Sequence, residues 1–310
     1  MKHIVLVTYG EPTSAAFIDQ LVYSWRILLG LTRTVADIPA PLIPLIALSR
    51  ARGRNAMWRR NAYTSPLEPI TLAQAAQLRD TLAQQSGEQW KIHVAYEFRE
   101  PLLATAINQI SPNELVIVVP MYAADSAFTH NLSRQTVAAL DPSRPAPVIV
   151  LPAIGVERLA ELSANHVMQS IAEDTVKPAS AALVLAAHGT LIKPAKPIDT
   201  GLAATEQLCS GIEQRLSKCF GMVSNGWLNH TRGGQWTDPP IEETLKRVSE
   251  AGFRDVVYYP YGFLADNAES QLEGQLAAAG RPELTVRFVP CLNGSPSLAE
   301  EIATQVAAAH

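Results

Sequence analysis

Cysteine is scarce in this chain, and its scarcity removes a class of stabilising chemistry. Cys209, Cys219 and Cys291 are the only three in 310 residues. They are odd in number, widely spaced and include no Cys-x-x-Cys pair, which argues against a structural zinc site or an iron–sulfur cluster. Free thiols in a reducing compartment are expected. Long apolar runs are missing too: none reaches the ~18 residues that a membrane-spanning helix needs. The first residues run straight into a strand rather than toward a signal-cleavage site, so a cytoplasmic protein is expected. Positive charge is in deficit, with 25 Lys and Arg against 29 Asp and Glu and a net charge of −4. Nucleic-acid binders carry the opposite imbalance, so no nucleic-acid partner is expected. Finally, no strand is followed by Gly-x-Gly-x-x-Gly, and there is no phosphate loop and no Gly-x-Ser-x-Gly elbow. Nucleotide-dependent, hydride-transfer and serine-hydrolase chemistry lose ground accordingly, and no organic cofactor is expected.

What is present is a repeated alternation of short β-branched runs with amphipathic stretches. In the first half the pattern predicts strands at 4–8, 92–98, 115–119 and 148–151. Helices are expected from a cap at Thr13 or Ser14 to about residue 29, from a cap at Thr71 to about 85, and over 101–110 and 129–140. After a helix over 156–173 the plan starts again, with strands at 183–187, 222–228, 256–259 and 285–289. Helices are expected over 202–219, 241–251 and 266–279 and from Pro296 onward. Such alternation implies right-handed βαβ units and parallel sheets. The expected fold is α/β: two similar Rossmann-like domains, 1–155 and 156–310, each a parallel four-stranded sheet flanked by helices, enclosing a cleft. A monomer is expected.

Two segments do not fit that scheme. The apolar stretch 35–48, bounded by Val35 and Leu48, is interrupted by Pro39, Pro41 and Pro44, and a long regular helix is not expected there. It reads as a covered loop or an exposed apolar lip. Arg50, Arg52, Arg54, Arg59 and Arg60 follow, either as a solvated helix face or as a site for an acidic small molecule.

Ligands of open α/β sheets gather beyond the carboxyl ends of strands. His188 closes the run Ala181-Ala182-Leu183-Val184-Leu185-Ala186-Ala187, and Glu269 lies one turn into the helix after the 256–259 strand. A histidine and a carboxylate brought together from two strand ends form a plausible base, proton relay or metal ligand set.

The motifs, taken in order, resemble the ferrochelatases, which insert ferrous iron into a porphyrin. Tyr9-Gly10-Glu11-Pro12 is similar to the family's Tyr-Gly-Thr-Pro, and Thr64-Ser65-Pro66-Leu67 to its Ser-Pro-Leu turn. Ala187-His188-Gly189 resembles its Ser-Ala-His segment, and Gly226-Trp227 with Thr237-Asp238-Pro239 its Gly-Trp…Pro loop. Pro260-Tyr261-Gly262-Phe263-Leu264-Ala265-Asp266-Asn267-Ala268-Glu269 is close to its Pro-x-Gly-Phe-x-x-Asp-His-x-Glu. The resemblance implies a chelatase-like fold, with His188 and Glu269 as the catalytic pair and His188, Glu269 and Glu273 as the groups that meet the metal. It implies Tyr9, Arg26, Ser65, Tyr122 and His130 as substrate contacts. Fe²⁺ and a porphyrin are then the substrates, with coproporphyrin III favoured over protoporphyrin IX because of Tyr9. The 35–48 lip would cover the macrocycle or touch a membrane surface, and the arginine run would meet carboxylates. The chain departs from the family pattern at Asn267, where a His is usual, and at Arg99. Ala277 interrupts an acidic ladder, and His130 stands where a Tyr is expected. Two alternatives therefore stand beside the main reading: a sirohydrochlorin-type chelatase, and a porphyrin- or haem-binding paralogue without turnover.

Overall fold

A computed structural model describes residues 2–34, 38–87, 89–173, 176–194, 196–228 and 234–309. The first half contains β1 (Lys2–Thr8), α1 (Phe17–Thr34), α2 (Ile43–Arg60), α3 (Leu67–Ser86), β2 (Trp90–Tyr96), α4 (Leu103–Asn108), β3 (Leu115–Pro120), α5 (His130–Ala138) and β4 (Val148–Val150). Helix α6 (Val156–Ser170) leads into β5 (Ala182–His188), α7 (Leu202–Leu216), β6 (Met222–Leu228), α8 (Ile241–Glu250), β7 (Asp255–Tyr259), α9 (Gly274–Ala279), β8 (Thr285–Phe288) and α10 (Pro296–Ala308). The sheets have the orders β2-β1-β3-β4 and β6-β5-β7-β8, and every pairing is parallel. The expected architecture of two parallel four-stranded sheets flanked by helices is therefore what the chain forms.

Each inner strand is buried on both faces, which is why β1 and β5 read as unbroken apolar runs. Side chains alternate across the sheets. Ile4 and Leu6 on β1, and Leu183, Leu185 and Ala187 on β5, belong to one continuous core. Val5 and Val7 face a separate cluster, as do Ala182, Val184 and Ala186. Helices α3 and α10 pack together, as do α6 and α7. Strands up to Val150 form the first sheet and those from Ala182 onward the second, and one apolar core draws on both.

The 35–48 stretch differs from expectation. After a 3₁₀ turn at Ala40–Leu42, α2 begins at Ile43 and continues for 18 residues. Pro44 occupies the first turn, where the missing N–H would have had no intrahelical partner. Ile43 and Ala47 are buried with Leu28 of α1, while Leu42 and Leu45 are exposed. Ile18, Val22 and Trp25 form an exposed apolar stripe on α1. Part of the lip, residues 35–37, lies outside the described residues. Helix α3 also starts earlier than expected: Ser65 Oγ, not Thr71, accepts an amide hydrogen bond, from Leu67 at 3.2 Å. The expected 266–279 helix is split into a π-helical turn, Glu269–Glu273, followed by α9. Among the described residues no helix is long and apolar enough to cross a membrane.

A histidine pair joins the start of β1 to the middle of β2. His3 Nδ1 is 2.9 Å from His93 Nε2, and His3 Nε2 is 3.1 Å from a Glu114 oxygen. Two neutral rings can share this bond, whereas two imidazoliums repel. Burial lowers both pKa values from 6.5; Glu114 opposes the shift at His3, while His3 and Lys91 reinforce it at His93. The unfolded chain then binds protons more readily, so this contribution to stability is complete above about pH 6.5 and is lost as pH falls through that value. Urea unfolding between pH 7.5 and 5 should show a steeper acid-side loss in the wild type than in His93→Gln; equal slopes would remove the pair from the account.

Candidate active site

The parallel register determines which residues emerge at the carboxyl ends of the sheets. His188 is the last residue of β5 and pairs with Leu228; Tyr9 follows Thr8, which pairs with Tyr96. The loop after β7 returns against β5 at Gly262, where a Cβ would lie 2.8 Å from that of Ala187, so no larger residue fits without a shift. Asp266 fixes the following segment by accepting from Cys291 N at 3.0 Å and Asn293 Nδ2 at 2.8 Å. Gln74 of α3 donates to the carbonyls of Leu264 and Asn293, at 3.1 and 3.0 Å, and ties this segment to the first half.

Asn267 then caps the π-helical turn. Its Oδ1 accepts from Glu269 N at 2.9 Å and Ser270 N at 3.1 Å, and its own N–H donates to Ser270 Oγ at 2.9 Å. Side-chain caps of this kind contribute ~1 kcal/mol and fix where the turn begins. The departure at Asn267 therefore has a local structural use.

This framework brings Glu269 Oε2 to 2.9 Å from His188 Nδ1. The imidazole side chain is 50% exposed and the carboxylate 21%. Burial alone would lower the His188 pKa, but the Glu269 charge, the hydrogen bond to it and the Glu273 charge together raise it above 6.5, with Arg50 opposing. Solvent at the half-exposed ring tempers each of these effects. With Nδ1 engaged, Nε2 is the atom through which a neutral His188 can accept a proton or bind a metal.

Glu273 lies one turn beyond Glu269. Burial first, and then the Glu269 charge, push its carboxyl up to about 8, with His188 and Arg54 opposing. Among the described residues no three of His, Cys, Asp and Glu are gathered into a metal-holding set. The expected trio of His188, Glu269 and Glu273 is thus not gathered as a preformed three-ligand centre.

The other expected contacts fall into layers. The ring of Tyr9 stacks on Phe98 at 5.8 Å and tilts against Tyr122 at 4.8 Å, and its hydroxyl donates to the Phe128 carbonyl at 2.9 Å. Burial and the Glu269 charge push the Tyr9 pKa far up, so the phenol stays neutral. Tyr122 lies behind it with its hydroxyl unpartnered. His130 is wholly buried and meets Tyr122 edge to face at 6.1 Å; burial lowers its pKa to about 4. In this conformation His130 is out of a ligand's reach. Ser65 is also buried, and donates to Glu11 Oε2 at 2.8 Å. Arg26 sits at the rim, bonded to the Phe98 carbonyl at 3.5 Å and to Glu100 at 3.2 Å.

The arginine run divides by helix face. Arg52, Arg59 and Arg60 are solvated. Arg54 turns inward, between the rings of Tyr23 and Trp58 at 5.2 and 5.1 Å, and pairs with Glu11 at 3.5 Å. Arg50 Nε is buried without a partner. Arg99 pairs with Glu68 at 3.2 Å and covers the Tyr96 ring.

Sequence reasoning missed Glu11 and Glu97. Glu97 follows β2, accepts from Ser133 Oγ at 2.8 Å and is pushed up to about 7 by burial. Both residues stand just past strand ends, the same signal that identified His188.

Two parallel sheets of order 2-1-3-4, with chemistry at their carboxyl edges, define a chelatase architecture. CbiX, the terminal enzyme for siroheme biosynthesis in denitrifying bacteria, superposes with a TM-score of 0.55 over the full length of both chains at 16% identity. DR2241 of Deinococcus radiodurans, a multi-domain protein with structural similarity to chelatases, superposes with a TM-score of 0.57 at 15% identity, over 99% of this chain and 55% of that longer protein. The ferrochelatase family model matches residues 2–310, and the chain belongs to that family. A ferrochelatase of Synechococcus elongatus is 25% identical over 284 residues, covering 86% of this chain and 71% of the relative.

The raised carboxyl of Glu273 has a measurable consequence. The folded state holds its proton between the ordinary 4.5 and about 8, while the unfolded state releases it, so this group lowers stability progressively as pH rises across that window. Replacing Glu273 by Gln should raise Tm, with a gain that widens from pH 5 to 8.5 in thermal melts. A constant or absent gain would show that Glu273 ionises like a surface carboxylate.

Proposed function

We propose that this protein inserts ferrous iron into a porphyrin. The observation that carries this reading is the pairing of His188 with Glu269 at 2.9 Å, half-open to solvent, in a chain of the ferrochelatase family. Metallation exchanges two pyrrole N–H protons for one Fe²⁺ bound by four ring nitrogens. Neutral His188 takes one pyrrole proton at Nε2, releases it to water from its half-exposed ring and then takes the second, while Glu269, holding Nδ1–H, stabilises the imidazolium formed each time. The opposite charges attract more strongly once a flat macrocycle displaces water. Arg50, half-buried on α2, turns its guanidinium to a carboxylate arm of the substrate. The exposed apolar stripe Ile18, Val22 and Trp25, with Leu42 and Leu45, covers the ring. The stack of Tyr9 on Phe98 supports a tyrosine at the ring face and, by the resemblance in motif, coproporphyrin III over protoporphyrin IX.

The fold shared with CbiX makes sirohydrochlorin the competing substrate. Anaerobic assays with Fe²⁺ and each of the three tetrapyrroles decide between them: coproporphyrin III should be metallated fastest, and tight binding without metallation of any would overturn the enzyme reading. His188→Ala should lower kcat by about 10²–10⁴-fold. The acid limb of kcat/KM reports His188 losing its proton, so it should lie above pH 6.5 and move downward in Glu269→Gln, where the attraction that raises the imidazole pKa is gone. An unmoved limb would detach Glu269 from His188.

A further inference from the structure

Glu11 is a carboxylate buried to 7% exposure at the meeting point of three elements. Its Oε2 accepts from Ser65 Oγ at 2.8 Å and from Ala268 N at 3.0 Å, while Oε1 faces Arg54 Nη2 at 3.5 Å. Ala268 immediately precedes Glu269. Its N–H would otherwise be a free donor at the head of the π-helical turn. Arg54 is in turn fixed by Gln20 Oε1 at 2.8 Å, and Gln20 by the Ser14 carbonyl at 2.9 Å. An apolar contact runs alongside, since Trp58 of α2 is buried with Ala268 and Leu272.

We propose that Glu11 is a positioning residue, a clasp that anchors the Ala268 amide and thereby holds the Glu269 carboxylate at His188, linked through Arg54 to the α1–α2 helical pair. The clasp rests on the chelatase reading only for its effect on turnover. A neutral side chain would satisfy Ser65 and Ala268 but would leave Arg54 without its counter-ion. A carboxylate satisfies all three, at the cost of a buried charge that the guanidinium and the two donors offset. Desolvation pushes the Glu11 pKa up, and Arg54, Ala268 and Ser65 oppose that shift. The same arrangement ties α2 to the His188–Glu269 pair from behind: tilting α2 pulls on the residue before Glu269.

The test has two arms. In the ligand-free protein, hydrogen exchange of the segment containing Ala268 should be at least about tenfold faster in Glu11→Ala and near wild type in Glu11→Gln, which keeps an acceptor oxygen. Because Glu11→Ala strands a buried guanidinium and can unfold the chain, the double variant Glu11→Ala/Arg54→Met supplies the same loss without the orphan charge. In the metallation assay, kcat should fall about 10–100-fold in Glu11→Ala, with porphyrin KM within about threefold, since a shift near 1 Å at a reacting group costs on that order. Glu11→Gln should recover most of the loss. Faster exchange confined to the Ala268 segment, in the single or the double variant, supports the clasp. Unchanged exchange there in both variants, or acceleration spread evenly over the chain, overturns it. A wild-type protein without turnover would defeat the chelatase reading, and the exchange arm would still decide the clasp.

Discussion

The structure around the candidate site depends on one arrangement: a carboxylate held 2.9 Å from an imidazole where both remain reachable from solvent. The two groups come from distant segments, the end of β5 and the turn after β7, so neither can find the other by local geometry. Parallel pairing of β5 with β7 places their carboxyl ends side by side, and the close pass at Gly262 sends the next segment back over β5. Asp266, Asn293 and Gln74 fix that segment, and Asn267 starts the turn from which Glu269 projects. Each contributes ordinary hydrogen bonds; together they determine one side-chain position.

That position is electrostatically crowded. Glu269, Glu273 and Glu11 converge on His188 and Arg54, and like charges at such separations cannot all ionise without cost. The structure resolves the conflict unevenly. Glu11 has a guanidinium and two donors, Glu269 has the imidazole, and Glu273, with the least compensation, has its carboxyl pushed up to about 8. The wall formed by Tyr9, Tyr122 and His130 is uncharged by comparison, because burial keeps all three neutral.

How much of this was legible in the sequence depends on how far each signal travels along the chain. β1 and β5 were readable because burial on both faces leaves unbroken apolar runs. His188 and Glu269 were readable because strand ends are where α/β sheets bind. Helix α2 was not, because three prolines were weighed as breakers and Pro44 lies in the one turn that tolerates it. The split of the 266–279 helix was hidden, since a π-helical turn changes hydrogen-bond partners without changing composition. Glu11 was overlooked although it stands beside Tyr9; its partners at Arg54, Ser65 and Ala268 are 43, 54 and 257 residues away, a distance over which one sequence carries no pairing information.

The departures from the family pattern take on a physical sense in this light. Asn267 stands where a histidine is usual, and a histidine could not accept two amides through one oxygen as Asn267 Oδ1 does. Glu11 stands where the motif has a threonine, and Arg99 is neutralised by Glu68 while lying flat on Tyr96. None of these changes removes the His188–Glu269 pair. Asn267 and Glu11 instead fix the amides that surround it: Asn267 those of Glu269 and Ser270, Glu11 that of Ala268. Three consecutive backbone donors at the head of one turn are thus satisfied by two side chains, one from the turn itself and one from the opposite half of the molecule. A turn anchored from both halves moves only if the halves move, so the geometry of the pair is coupled to the apposition of the two sheets.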